Sequence, residues 1–153
     1  MRITFHRLSD RRHRVEVERA DGSTEAVELD SKDFLRHDLA HLAIEAELGL
    51  TGGVWGSVAA GGSLTGDGLD GPDMALAERL AGPAQTLMRT AAPVEEVERV
   101  LRAVAPDIAS AELAAALHER LRRLTGHWRA TPFGGEMVLE WADPGRGPRA
   151  YGN

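Results

Sequence analysis

The sequence predicts an α+β fold in which one antiparallel sheet packs against a helical middle. Apolar and polar residues alternate near both ends of the chain, which is the period of a half-buried strand. The residues between these ends follow the helical period instead. With 153 residues, the chain suits one domain. We place this domain at residues 1–142 and expect a flexible tail, rich in Gly, Pro and Arg, at residues 143–153.

The first thirty residues predict a three-stranded antiparallel meander. Residues 2–8 alternate weakly and residues 13–19 alternate clearly. A hairpin signal at Asp21-Gly22 precedes the returning strand, which carries Val27 and Leu29. The apolar face of this sheet needs a cover, and the helix that follows is the nearest one.

Residues 31–49, with the sequence SKDFLRHDLAHLAIEAELG, predict that covering helix. Ser31 or Asp33 is the expected N-cap, and Gly49 is the expected left-handed residue at the end. At about 100° per residue, the helix has an apolar arc that faces the core. This arc contains Leu35, Leu39, Leu42, Ala43 and Ala46.

The second half of the chain predicts helices and a closing hairpin. The stretch around Trp55 fits a short helix or a loop, and the glycine-rich residues 61–72 are expected to be flexible. Gly82-Pro83 is expected to end or sharply kink a helix, and Gly126 to end the last one. The predicted helices are residues 73–81, 84–92, 94–104 and 107–125, and the predicted hairpin strands are 127–131 and 136–142.

Composition excludes several classes of protein. The absence of cysteine rules out disulfides, thiolate metal sites and a cysteine nucleophile. A net charge of −6 argues against non-specific binding to nucleic acid. The first residues lack a signal-peptide pattern, and no run approaches the roughly 20 apolar residues of a membrane span. We therefore expect a cytoplasmic protein without a membrane partner, and self-association is left open.

The candidate site is a cluster on the helix 31–49. His37, Asp38, His41 and Glu45 fall within about one quarter of its circumference. Two histidines four residues apart project from adjacent turns and can occupy two positions on one divalent ion such as zinc. Asp38, rather than a glutamate, follows the first histidine, so the pair departs from the zinc-protease helix motif and a protease is not expected.

The two carboxylates of the cluster are expected to support the histidines. Glu45 lies about 12 Å along the helix axis from His37, so it cannot readily join both histidines on one ion. We expect Glu45 to accept a hydrogen bond from His41 and fix its tautomer, and Asp38 to act likewise or in acid–base chemistry. A third ligand must come from another element. The candidates are a further carboxylate, His6, His13, His118 and His127.

Two other interpretations of these residues stay open. A buried His41–Glu45 pair, with His37 bonded to a strand carbonyl, would satisfy the same groups without a metal, and His41 alone could do acid–base work. Trp55, which lies between Gly53 and Gly56, is expected either to wall a pocket beside the histidines or to fill the core.

Residues 34–61, FLRHDLAHLAIEAELGLTGGVWGSVAAG, carry a resemblance. The stretch resembles one found in small uncharacterised bacterial proteins, in which an HD--H---E helix precedes a glycine-flanked Trp. The resemblance implies a bacterial source and a shared core unit, and it brings no activity with it.

Three functions follow as hypotheses. The first is a small metal-binding protein that holds an ion at His37 and His41. Such a protein could be a hydrolase-like enzyme that activates water on this ion. The second is a non-enzymatic interaction or regulatory domain in which the cluster is structural. The third is a protein that binds a small acid through the two histidines and the arginines of the first strands. Whether the protein is an enzyme stays open.

Overall fold

The computed structural model describes residues 1–66 and 70–142. Four antiparallel strands form one sheet in the order β3-β2-β1-β4. The strands are β1 (Arg2–Arg7), β2 (Arg12–Glu18), β3 (Thr24–Asp30) and β4 (Glu136–Glu140). The predicted α+β fold, with strands from both ends of the chain in one sheet, is confirmed.

Five α-helices are found among the described residues between β3 and β4. They are α1 (Arg36–Leu48), α2 (Val54–Ala59), α3 (Pro72–Thr90), α4 (Val94–Val104) and α5 (Ala111–Ala130). A short π-helical segment, Ser31–Leu35, joins β3 to α1. Because α1 packs against α2, α3 and α5, it lies at the centre of the helical layer.

The core lies between the inner face of the sheet and α1. Ile3 pairs with Val17 and Phe5 with Val15 across β1 and β2, and all four side chains are buried. Met137 of β4 extends this face beside Phe5. The predicted apolar arc of α1 is directed into the same core, where Leu35, Leu39, Leu42 and Ala43 are buried and Ala46 is partly buried.

The structure confirms the predicted C-terminal end of the helix 31–49 and corrects its predicted N-cap. Gly49 has the left-handed conformation expected of it, with φ of 66°. The N-cap is neither Ser31 nor Asp33 but Asp30, whose carboxylate accepts a hydrogen bond from the backbone N–H of Lys32 at 2.8 Å. The strand therefore runs directly into the helical segment.

The predicted closing hairpin is wrong in its first strand. The segment 127–131 is not a strand, because α5 continues through Gly126 to Ala130. A glycine inside a helix costs only about 1 kcal/mol relative to alanine. Trp128 packs against the core beyond it, and this contact favours continuation. Strand β4 therefore pairs with β1, where Glu140 faces Arg2.

Gly82-Pro83 does not end a helix, since α3 runs from Pro72 to Thr90 with Pro83 inside it. An interior proline costs about 3 kcal/mol. Leu80 and Ala81 before it, and Ala84 and Leu87 after it, are all buried, so both halves are anchored in the core.

The predictions for the stretch around Trp55 and for the two glycine-rich segments have different outcomes. The stretch around Trp55 is helical, as α2. Within the predicted loop, residues 61–66 form neither helix nor strand, whereas residues 67–69 and the predicted tail, 143–153, lie outside the described residues. None of the helices in the described part of the chain combines the length and apolarity needed to cross a membrane.

Candidate metal centre

The buried half of the site is the pair His41 and Glu45, one turn apart on α1. Their side chains are 1% and 0% exposed. His41 Nδ1 lies 3.1 Å from Glu45 Oε1, which is hydrogen-bond distance. The structure thus places Glu45 against His41, as the spacing along the helix predicts.

The Glu45 carboxylate also accepts hydrogen bonds from backbone N–H groups in the first turn of α2. Its Oε1 accepts a hydrogen bond from the backbone N–H of Val54 at 2.9 Å. Its Oε2 accepts from the N–H groups of Trp55 at 2.8 Å and Gly56 at 3.3 Å. Both oxygens therefore act as acceptors, so Nδ1 of His41 is the donor in its bond to Glu45. In a neutral His41 ring, this bond places the lone pair on Nε2.

The glycines around Trp55 make room for this contact. A Cβ at Gly53 would lie 2.3 Å from Cδ of Glu45, and a Cβ at Gly56 would lie 2.3 Å from the carbonyl oxygen of Thr51. A side chain at either position would displace the backbone that meets the carboxylate. Close approach to Glu45 therefore accounts for Gly53, and close approach to the backbone of Thr51 accounts for Gly56.

Trp55 belongs both to the core and to a cavity wall. It is 2% exposed and packs on Phe5 with ring centroids 6.0 Å apart. Its Nε1–H donates to the carbonyl oxygen of Asp38 at 3.1 Å. Part of the same side chain lines a cavity that His37 also lines. Trp55 thus ties α2 to the turn of α1 that carries the outer histidine.

The open half of the site is formed by His37 and Asp38. The His37 side chain is 35% exposed, and its ring centroid lies 4.5 Å from that of His41. Its Nδ1 lies 3.8 Å from Oδ1 of Asp38, which is an ion-pair distance rather than a hydrogen bond. Among the described residues, no strand carbonyl accepts a hydrogen bond from His37.

The two neighbouring carboxylates act on the protonation of His37. The Asp38 carboxylate beside the ring raises the pKa of His37, and Glu78 raises it further. Partial burial of the ring opposes this rise because it disfavours the charged imidazolium.

Glu78 of α3 completes the cluster across the interface between α1 and α3. Its Oε1 lies 3.4 Å from Nε2 of His41, and its Oε2 lies 3.8 Å from Nε2 of His37. One ligand atom from each of the three residues falls within 4.8 Å of the others. In a tetrahedral zinc site, neighbouring ligand atoms are about 3.3 Å apart. The three residues could therefore hold one metal ion.

The inner wall of this cluster contains a buried nitrogen atom without a hydrogen bond to the described residues. His41 Nε2 is buried and has no hydrogen-bond partner among the described residues. This atom lies 3.4 Å from a carboxylate oxygen of Glu78. A proton or a metal ion between the two atoms would give the buried nitrogen a partner.

The remaining histidines lie outside the cluster. His13 is buried, with Nδ1 3.1 Å from the hydroxyl of Ser31 and Nε2 3.9 Å from Oδ2 of Asp38, so it reaches the site only through that carboxylate. His6 lies between two other carboxylates, those of Glu16 and Glu136. The three-residue cluster likewise does not include His118 and His127. The third member is a carboxylate.

Comparison of the chain with protein-family models, with curated proteins and with solved structures finds no match. The likeness of residues 34–61 to a group of small bacterial proteins stays a prediction.

Proposed function

We propose that the protein binds one divalent transition-metal ion, with zinc the best match, through His37, His41 and Glu78. The observation that carries this proposal is the convergence of two ring nitrogens and one carboxylate within 4.8 Å. Two histidines and one glutamate form a donor set that catalytic zinc sites use. Glu45 behind His41 supplies the outer carboxylate that commonly orients a metal-bound histidine.

Three protein ligands leave a fourth position for water, and zinc lowers the pKa of such a water to about 7. His37 and Glu78 both line the cavity beside the cluster, so we infer that the fourth position faces this cavity. The chemistry that follows is hydrolase-like. Asp38 lines the same cavity beside His37 and is our candidate to take the proton from the water.

A non-enzymatic domain with a structural cluster is the second candidate. It is favoured by the complete burial of His41 and Glu45 and by the bonds from Glu45 to α2. In that case the His41 ring carries both protons and lies as a cation between the carboxylates of Glu45 and Glu78. No metal is then required.

Binding of a small acid has less support. Among the described residues that line the cavity beside the histidines, none is lysine or arginine. Two arginines from the N-terminal segment are engaged elsewhere. Arg7 donates to the carbonyl oxygen of Thr131, and Arg19 donates to that of Gly62.

Zinc titration of the metal-free protein tests the proposal. We expect one ion per chain and a loss of affinity of more than about 100-fold in His37→Ala, His41→Ala and Glu78→Gln, since each removes a ligand. His127→Ala, which removes an exposed histidine outside the cluster, should leave the affinity unchanged. Zinc binding that survives Glu78→Gln would overturn the three-residue centre. A wild-type protein without zinc affinity, together with a lower melting temperature for His41→Ala, would establish the structural role instead.

A further inference from the structure

A groove adjoins the proposed metal centre, with a volume of about 420 Å³. This value lies within the range of about 300–1,000 Å³ that is typical of small-molecule sites. The metal-binding side chains His37 and Glu78 form part of its lining. Most of the remaining wall is apolar and includes Val15, Val27, Leu29, Phe34, Val54 and Met74. We call this cavity the apolar groove.

The apolar wall is accessible rather than closed. Val27, Leu29, Val54 and Met74 are only half-buried, and Phe34 is 47% exposed. A bound molecule could therefore remove further apolar surface from water at this wall, which is favourable. Among these side chains, Met74 is flexible and adapts its shape to different ligands.

Charge limits what the apolar groove accepts. Its charged lining consists of Asp38, Glu78 and the titratable His37, and no lysine or arginine is found among the described residues around it. Phosphate groups are normally recognised by arginine, lysine or clustered N–H donors. An uncharged polar group that can place one oxygen on a metal ion suits this lining better.

We propose that the apolar groove binds the acyl or aryl body of a small carboxylic ester or amide, whose carbonyl oxygen lies on the metal ion. This inference depends on the proposed metal centre. In the reaction, the water oxygen bonds to the carbonyl carbon and the bond from that carbon to the leaving oxygen or nitrogen breaks. One proton of the water passes to the leaving group. The products are a carboxylic acid and an alcohol or amine.

Two hydroxamates that share a metal-chelating head group test the inference with the zinc-loaded full chain. Acetohydroxamate has a one-carbon tail, whereas octanohydroxamate has a long apolar tail. We expect octanohydroxamate to bind at least about tenfold more tightly, since burial of two methylene groups suffices for that factor. Octyl phosphate should bind more weakly than octanohydroxamate.

Variants of the groove locate the tail. Phe34→Ser and Met74→Gln should each reduce the ratio of the two hydroxamate affinities at least threefold. Because the two probes share a head group, a change at the metal cancels in this ratio. Phe133→Ser is the matched control, since it makes the same change at a phenylalanine that is 64% exposed and does not line the groove. It should leave the ratio unchanged.

The outcomes separate the two proposals. Equal affinity for both hydroxamates in a protein that binds zinc would overturn the apolar groove and leave the metal centre intact. Retention of the full ratio in both groove variants would do the same, as would tighter binding of octyl phosphate. Undiminished binding of octanohydroxamate to metal-free His41→Ala would show that the head group does not meet a metal and would also overturn the inference. Failure of the wild type to bind zinc would overturn the proposed function itself.

Discussion

The inner and outer halves of the histidine cluster lie on the same helix but are held very differently. At the inner half, His41 and Glu45 are fully buried, and the carboxylate accepts one bond from the ring and three from α2. At the outer half, His37 is 35% exposed and is 3.8 Å from Asp38. The inner half therefore serves the fold whether or not a metal binds, whereas the outer half is not needed to hold the core together.

The difference follows from access to water. A buried donor that loses its acceptor stays unsatisfied, and this costs about 1–3 kcal/mol per group. An exposed group can exchange its partner for water at little cost. Substitutions at the inner half should thus change stability and metal affinity together, while substitutions at the outer half should change metal affinity with only a small change in stability.

The largest expected effect is that of Glu45→Ala. The substitution leaves the backbone N–H groups of Val54 and Trp55 and the Nδ1–H of His41 without their acceptor. We expect the free energy of unfolding of the metal-free protein to fall by about 3–5 kcal/mol, as measured by urea denaturation.

Glu28→Ala is the matched control for this loss, because Glu28 forms an ion pair with Arg12 in which both side chains are exposed. Its loss should be about 1 kcal/mol or less. Equal losses in the two variants would mean that the inner half does not hold α2 in place.

Gly53→Ala should have the next largest effect. The added Cβ would meet the Glu45 carboxylate at 2.3 Å, so either the carboxylate or α2 must move. We expect a loss of about 1–3 kcal/mol in the free energy of unfolding, which is typical of overpacking.

Gly126→Ala makes the same substitution where the added Cβ has no neighbour within 4 Å. Since Gly126 lies inside α5, alanine should stabilise the protein there by about 0.5–1 kcal/mol. Opposite signs for the two variants would support a packing role for Gly53, whereas a neutral Gly53→Ala would remove it.

More of the geometry of the inner half than of the outer half could be predicted from the sequence. The four-residue spacing of His41 and Glu45 on a helix is enough to place their side chains together. The role of Gly53 could not be inferred from the spacing of residues along the chain. A glycine-flanked Trp predicts a close approach, but only the fold shows that Glu45 is what approaches.

Glu78 was missed because nothing local marks it. It lies on α3, and its place beside His41 depends on how α3 packs against α1. The same dependence on tertiary contacts explains the error at residues 127–131, where packing of Trp128 extends α5 beyond Gly126.

The smallest expected effect concerns the pH dependence at the outer half. Asp38, and then Glu78, raise the pKa of His37. In the metal-free protein, the stability that this rise contributes is fully present below about pH 6.5, the pKa of an unfolded histidine. It is lost as the pH rises through the folded value. Zinc competes with the same proton, so zinc affinity should fall as the pH falls through that raised value, beginning above about pH 6.5.

Asp38→Asn should separate the electrostatic and the orienting contributions of this carboxylate. Removal of its charge lowers the pKa of His37 towards the ordinary value, so the midpoint of zinc affinity against pH should move to lower pH. At pH values above the raised pKa of His37, the affinity should still fall by about tenfold in Asp38→Asn, because the ring loses its orienting carboxylate. Zinc titrations between pH 5.5 and 8.5 measure both changes, with Asp10→Asn as a control that removes an equal charge at an exposed position. An unshifted midpoint in Asp38→Asn would mean that Asp38 does not govern the outer histidine, and Glu78 would then be left as its principal partner.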